Sequence, residues 1–199
     1  MIELSLNEVE TLTLKAARGA GLEWGEAEDA ALAARWLARH GFDWSALLEA
    51  DLAAGAPALR CGLRLADHLR CASGSDWARG ETEACLPWQL AFLAVMSRHL
   101  SAAVEIGEFG LWLHDGHVHS PGSLPEGAAH IRLRLRPVQE MPADLRAPPP
   151  AAGRPLVPND RLDRLNVLAE STSVPNSAKS RLRGARERPA GRRDRPHSS

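Results

Sequence analysis

The spacing of the apolar residues changes once along this chain, and the change limits the folds that the chain can adopt. Up to about residue 101 the apolar residues recur every three or four positions, the spacing of amphipathic helices. From Ala103 to Val138 they mostly alternate with polar residues, the period of strands with one buried face. Helices followed by strands are typical of an α+β fold rather than a parallel doubly wound sheet. We therefore predict N-terminal helices packed with a small antiparallel β-sheet, then a Pro-rich connector and a C-terminal helix.

The first three helices have recognisable ends. Ser5 and Glu8 form an S-x-x-E capping box, and the glycines of "RGAG" end the first helix. A second helix is predicted from about residue 25 to residue 40. Asp43 is placed to cap a third helix, which we expect to stop at Gly55.

The middle of the chain is harder to interpret. Residues 56–80 alternate in part as a strand would, but "LRLADHLR" favours a short helix, followed by a loop at "SGSDWARGE". Pro87 suits the first turn of another helix, reaching to about residue 99 or 101. It is the most apolar helix of the chain, and we expect it at the centre of the core.

The C-terminal part predicts a different organisation from the body. We divide the chain into a single α+β domain at 1–141, a Pro-rich connector at 142–158, a helix and motif at 159–178 that pack back on the domain, and a basic tail at 179–199. The last helix is predicted to be capped by Asn159, and the tail to be disordered after about Gly184.

Charge and cysteine content exclude several classes of protein. The tail from residue 179 has eight Lys/Arg and two Asp/Glu, a net charge of +6. Since the whole chain has a net charge of −1, the rest of the chain carries −7. An acidic body and a tail without aromatic residues argue against nucleic-acid binding. Three cysteines without a CxxC pair indicate neither a disulfide framework nor a thiolate zinc site. With no signal peptide and no apolar stretch that would span a bilayer, we expect a cytoplasmic protein without a membrane partner.

The stretch "LWLHDGHVH" carries the strongest pattern for metal binding. A two-residue Asp115-Gly116 turn would place His114 opposite His117, and Trp112 opposite His119, on one face of a hairpin. Three neighbouring imidazoles have the composition of a zinc site. A hairpin with one buried face also needs polar residues on the other, and no carboxylate is placed to orient the rings. We therefore predict a solvated face and no metal.

Two further polar patterns have ordinary explanations. Three arginines alternate along one predicted strand, Arg132, Arg134 and Arg136. They would bind a carboxylate or phosphate, but a solvated face paired with Glu105 or Glu108 is the interpretation that we favour. The chain has no phosphate-binding, dinucleotide-binding or nucleophile-elbow motif, so no cofactor is predicted and the catalytic residues are unknown.

The start of the second helix is the best candidate for binding. Trp24, Glu28 and Arg35 fall on one side of it, and Gly25 lets the helix begin tightly after the indole. Trp24 would either stack on a ligand or pack on the first helix, and we favour packing in the core.

These residues belong to a longer pattern. The segment "LSLNEVETLTLKAARGAGLEWGEAEDAALAARWLARHG" resembles the opening of a bacterial family, domain of unknown function 3726. The matching residues are Asn7, Glu8, Lys15, Ala16, Arg18, Gly19, Gly21, Trp24, Gly25, Ala27 and Glu28. A second resemblance comprises Leu168, Thr172, Val174, Pro175, Ser180, Arg181, Gly184 and Ala185, with Ser173 where the family tends to have Tyr.

The resemblance implies no assigned activity. We predict an accessory protein that binds a small molecule or a partner protein through Trp24, Gly25 and Glu28 together with Ser180 and Arg181. The alternative is an enzyme acting on a small anionic metabolite.

Overall fold

The computed structural model describes residues 1–71, 80–96, 102–106, 109–114, 116–120, 122, 128–133, 136–137, 147 and 150–171. The helices in this part of the chain are α1 (Leu6–Gly19), α2 (Trp24–Arg39), α3 (Trp44–Ala53), α4 (Pro57–Cys71), α5 (Leu86–Met96) and α6 (Asn159–Glu170). Its strands are β1 (Ile2–Glu3), β2 (Gly80–Cys85), β3 (Ala102–Ile106), β4 (Phe109–His114), β5 (His117–His119), β6 (Ala128–Leu133), β7 (Arg136–Pro137) and β8 (Leu156–Val157). All strand pairs are antiparallel, which confirms the predicted α+β class.

Local side-chain bonds account for the ends of the first helices. In α1 the Glu8 backbone N–H donates to Ser5 Oγ at 3.2 Å, and the Ser5 N–H donates to Glu8 Oε2 at 2.6 Å, which confirms the capping box. Gly21 follows α1 with φ of +91°, the left-handed conformation that glycine adopts at low cost. Asp43 caps α3 by accepting from the Ala46 N–H at 3.0 Å, as predicted.

Asp51, a residue of α3, caps the next helix. Its carboxylate is 7% exposed and accepts from the backbone N–H groups of Ala58 and Leu59, each at 2.8 Å. These are donors of the first turn of α4, which have no partner within the helix. Residues 57–71 are therefore helical, as we favoured, and one buried side chain ties α3 to α4.

The core surrounds α5. Every described side chain from Leu86 to Ala94 is buried, including the polar Gln89. The prediction that this helix occupies the centre of the core is confirmed, although α5 ends at Met96 and the predicted extension to residues 97–101 lies outside the described residues.

Two contacts define how the remaining helices run. Arg35, late in α2, donates to Asn7 Oδ1 at 2.6 Å at the start of α1, so α1 and α2 are antiparallel. Gly19, at the end of α1, touches Leu168 near the end of α6, so α1 and α6 are parallel. α2 packs against α5 on one side and α1 on the other, and α6 covers α1.

The strands form three small sheets rather than the one that we predicted. Their orders are β1-β8, β2-β6 and β5-β4-β3-β7. β2 occupies residues 80–85, part of which we had predicted to be a loop. Its strand conformation depends on pairing with β6, which lies more than 40 residues later in the chain and was not recognisable from the local sequence. The Cα of Arg132 stands opposite that of Glu81 in β2, whereas Glu105 pairs with Gly110. The side chains of the arginine stripe lie outside the described residues.

The second half of the Pro-rich connector is attached to the helices. The Ala151 N–H donates to the Arg39 carbonyl at 2.8 Å, and the Leu4 N–H donates to the Pro155 carbonyl at 3.0 Å. Asn159 is the first residue of α6 and makes no capping bond, so the prediction that it caps the helix is wrong; Pro158 precedes the helix. Residues 142–146, 148–149 and the predicted tail lie outside the described residues.

No helix in the described segments combines the length and the apolar character required to cross a membrane.

Candidate functional site

The indole of Trp24 stands at the surface, held from two sides. Its Nε1–H donates to Glu28 Oε1 at 2.7 Å, one turn later in α2. The guanidinium of Arg18 lies 5.5 Å from the ring centroid and also donates to the Leu22 carbonyl at 2.5 Å. Trp24 is nonetheless 59% exposed. The expectation that Trp24 packs in the core is therefore wrong: local contacts in the α1–α2 corner orient the ring without burying it.

Gly25 follows Trp24 and has no packing reason to be glycine. A Cβ placed on Gly25 would meet nothing within 4 Å, and its φ is not positive. Two other glycines of this region differ. Gly21 has a φ of +91°, and a Cβ on Gly19 would stand 1.7 Å from the Leu168 carbonyl oxygen. The surface formed by Trp24, Gly25 and Glu28 is called the Trp24 surface below.

The other predicted members of this site are placed differently. Arg35 is not part of the Trp24 surface, since it bonds to Asn7 and to Glu10, the latter at 2.8 Å. Ser180 and Arg181 lie outside the described residues.

Acidic residues flank Trp24 in the chain. Glu23, just before Trp24, and Glu28, just after it, are exposed. The backbone N–H of Glu23 donates to Glu26 Oε2 at 2.8 Å, and Glu26 also lies 3.8 Å from Arg60. With Arg18 on the ring, the local charge is negative overall.

The histidine hairpin has the predicted register. His114 pairs with His117 and Trp112 with His119, while Gly116 of the turn has a φ of +75°. Leu113 and Val118 are each 1% exposed on the opposite face, which confirms the predicted buried face. On the polar face His114 and His117 are exposed, whereas Trp112 and His119 are half-buried.

Burial alters the proton affinity of two histidines in this region. It lowers the pKa of His119, and the nearby His117 and His114 lower it further. Burial also lowers the pKa of His40, whose Nδ1–H donates to the Trp36 carbonyl at 2.8 Å. Among the residues that the structure describes, no group of three or more His, Cys, Asp and Glu has an arrangement that would hold a metal ion.

A groove between α1 and α6 was not predicted. It has a volume of about 450 Å³ and lies on the side of α1 that α6 partly covers. Its lining consists of Leu4, Asn7, Glu8, Thr11, Leu12 and Lys15 with Leu162, Asn166, Ala169 and Glu170. The polar residues Asn7, Thr11 and Lys15 recur every four positions, which would have indicated a polar stripe on α1. Nothing in the sequence indicated that α6 would form the second wall.

Comparison with known proteins identifies the N-terminal part of the chain. No curated protein and no solved structure shows a significant match. Residues 4–80 match the family described as "Protein of unknown function (DUF3726)". The match contains α1 to α4 and all residues of the Trp24 surface, and it confirms the resemblance seen at the start of the sequence. The segment of residues 4–80, with the first four helices, therefore matches the DUF3726 family.

Proposed function

We propose that the protein is a non-catalytic accessory protein and that the Trp24 surface binds a partner protein. One observation carries the proposal: a rigidly held, exposed indole lies beside a glycine that the fold does not require. The proposed partner presents a basic segment.

The indole has the properties of an interface anchor. Tryptophan is more often largely buried, and an exposed indole that the fold already orients is available to a partner through both its apolar ring and its polar N–H. The hydrogen bond that the indole donates to Glu28 and its cation–π contact with Arg18 restrict the ring before any partner arrives. A side chain that is already ordered loses less entropy on binding, and tryptophan is enriched among the residues that dominate interface energies.

Gly25 supports a close approach by the partner. Gly25 is the second residue of α2, where alanine has a higher helix propensity than glycine, and the space around Gly25 would accept a methyl group. A glycine at this position leaves a flat patch beside Trp24. A partner's main chain lying on that patch would supply the reason for glycine that the fold of this chain does not.

The charge around the indole indicates the chemistry of the partner. Glu23 and Glu28 are exposed on either side of Trp24 in the chain. Arg18 lies over one face of the ring, so an incoming lysine or arginine would use the other face in a cation–π contact. The predicted participation of Ser180 and Arg181 stays a prediction.

Site-specific photocrosslinking in the source cells tests this proposal. Benzoylphenylalanine at position 23 stands next to the indole and leaves Trp24 and Gly25 intact. The matched control carries the same photoreactive residue at Val167, which is 67% exposed on α6. We expect one discrete protein adduct from position 23 that is missing from position 167 and is lost when Trp24→Ala is introduced.

The captured protein is then titrated against wild type and Gly25→Ala. We expect Gly25→Ala to weaken binding about tenfold, equivalent to about 1.4 kcal/mol, without lowering the melting temperature. A variant that only damaged the fold would lower both. Equal adducts from positions 23 and 167, or full affinity in Gly25→Ala, would contradict the proposal.

A further inference from the structure

The groove between α1 and α6 offers a second binding surface, distinct from the Trp24 surface. Its volume of about 450 Å³ is within the range of small-molecule sites, roughly 300–1,000 Å³. Its floor is apolar, with Leu4, Leu12 and Ala169 buried and Leu162 half-buried. The inference that follows does not rest on the proposed partner binding.

Hydrogen-bond donors line the α1 wall. Asn7, Thr11 and Lys15 are exposed and occupy successive turns of one helix face. The Oδ1 of Asn7 accepts from Arg35 at 2.6 Å, which leaves its NH₂ group to donate elsewhere. Within the described part of the chain, Lys15 has neither an ion pair nor a side-chain hydrogen bond. Among the described residues, no contact therefore engages the ammonium group of Lys15.

The α6 wall contributes the amide of Asn166 to the same groove. α1 and α6 run parallel and meet where Gly19 contacts Leu168. Lys15 lies about one turn before that contact on α1, and Asn166 lies half a turn before it on α6. A bound carboxylate between them would accept from both, while an attached chain would extend over Leu12 and Leu162.

Two carboxylates limit the charge of a ligand. Glu8 lines the groove towards its start, where the Ser5 N–H holds it and lowers its pKa, so it stays ionised at neutral pH. Glu170 lies beyond Asn166 on α6. With Lys15 as the cation and Glu8 and Glu170 as the anions of its lining, the groove repels a dianion such as phosphate or succinate more strongly than a monoanion, and Lys15 is the lining group that attracts a single carboxylate.

We infer that the α1–α6 groove binds a small amphipathic monocarboxylate, with its carboxylate at Lys15 and Asn166 and its apolar chain on Leu12 and Leu162. The ion pair is exposed and contributes modestly, so both parts of the ligand are needed for binding.

The sequence itself makes a direct measurement practicable. Lys15 and Lys179 are the two lysines of the chain. Reductive methylation with ¹³C keeps their charge and introduces two lysine NMR signals, and Lys15→Arg identifies the first by removing it. Hexanoate is titrated into the labelled full-length protein, with hexanol, succinate and inorganic phosphate as comparisons. We expect a saturable shift of the Lys15 signal with hexanoate at millimolar concentration, and no saturable shift with the other three.

Variants separate groove binding from simple ion pairing. By calorimetry, Lys15→Gln should weaken hexanoate binding about fivefold and Lys15→Arg by less than about twofold, as expected for loss or retention of an exposed ion pair. The matched control Arg39→Gln removes an exposed cation from the end of α2 and should leave the affinity unchanged. Thr11→Trp should block the groove and abolish binding while Lys15 remains.

Three outcomes would overturn the inference. They are a Lys15 signal that does not move, equal and unsaturated shifts at Lys15 and Lys179, and a Thr11→Trp variant that binds hexanoate like wild type. Loss of binding in Arg39→Gln would likewise show that net charge rather than the groove attracts the anion. None of these results depends on whether the Trp24 surface has a partner.

Discussion

Gly19, the last residue of α1, lies directly against the backbone of Leu168 in α6. A Cβ at Gly19 would stand 1.7 Å from the Leu168 carbonyl oxygen and 2.5 Å from Ser171 Oγ. The Ser171 hydroxyl also lies 3.2 Å from the Gly19 carbonyl, to which it donates. Helices separated by about 140 residues in the chain therefore meet at backbone distance, and the absence of a side chain at Gly19 permits it.

Gly19→Ala should destabilise the protein, and Gly25→Ala provides its matched control. The methyl group at position 19 would force α6 away from α1, so we expect the unfolding free energy to fall by about 2 kcal/mol or more, as for other overpacked sites. At position 25 the same methyl enters open space in the first turn of α2, so we expect no loss of stability and a gain of no more than about 0.5 kcal/mol. Urea denaturation of both variants measures the difference. Equal effects at the two positions would show that α6 does not pack on α1 in solution.

Asp51→Ala should be among the more damaging substitutions of a polar residue. The buried carboxylate satisfies the N–H groups of Ala58 and Leu59, and its removal would leave both donors without a partner. We expect a loss of about 3 kcal/mol, and a smaller loss for Asp51→Asn, which retains one acceptor oxygen. The exposed Asp163→Ala on α6 should change stability by no more than about 0.5 kcal/mol. Denaturant unfolding measures the loss of stability in each variant, which should decrease from Asp51→Ala to Asp51→Asn to Asp163→Ala. An Asp51→Ala variant as stable as wild type would contradict the prediction.

Acidification between pH 7.5 and 5.5 should lower the unfolding free energy through His40 and His119. Burial lowers the pKa of both in the folded protein, whereas in the unfolded chain they titrate near 6.5. Over this range the unfolded state binds more protons, so the stability present above pH 6.5 is lost as the pH falls towards the folded-state values.

Denaturation at pH 7.5, 6.5 and 5.5 measures this loss. His119→Gln should reduce the pH dependence, and the exposed His114→Gln should retain more of it. Stability that rises on acidification over this range would be incompatible with the prediction.

The histidine hairpin should carry no stoichiometric zinc. His117 is exposed, and its replacement by threonine, a good strand former, should change the unfolding free energy by no more than about 0.5 kcal/mol. A structural zinc site contributes on the order of 10 kcal/mol, so a chelator would shift the melting curve conspicuously if zinc were bound. Elemental analysis of untagged protein provides the measurement. One equivalent of zinc that is lost in His117→Thr would show that the solvated-face interpretation is wrong.

The sequence alone determined the features that depend on neighbours within a few residues. The capping box at Ser5 and Glu8 involves a spacing of three residues, and the sequence pattern of the hairpin predicted that Trp112 stands opposite His119, as the strand register confirms. Such interactions are recognisable because their geometry follows from the local backbone. The period of the apolar residues likewise separated helices from strands. The face on which a side chain lies repeats about every 3.6 residues in a helix and every two residues in a strand, so the sequence spacing alone reports it.

Only the tertiary structure decided which surfaces meet. An apolar stripe predicts that α1 is buried against something, but not that α6 covers it, because hydrophobic attraction has no direction. β2 acquired its strand conformation from a partner, β6, that lies far along the chain. Trp24 shows the converse: composition favoured the core for an indole, but in the α1–α2 corner the part of the chain that the structure describes leaves it 59% exposed. The Trp24 surface and the α1–α6 groove therefore both follow from where distant elements pack or do not pack.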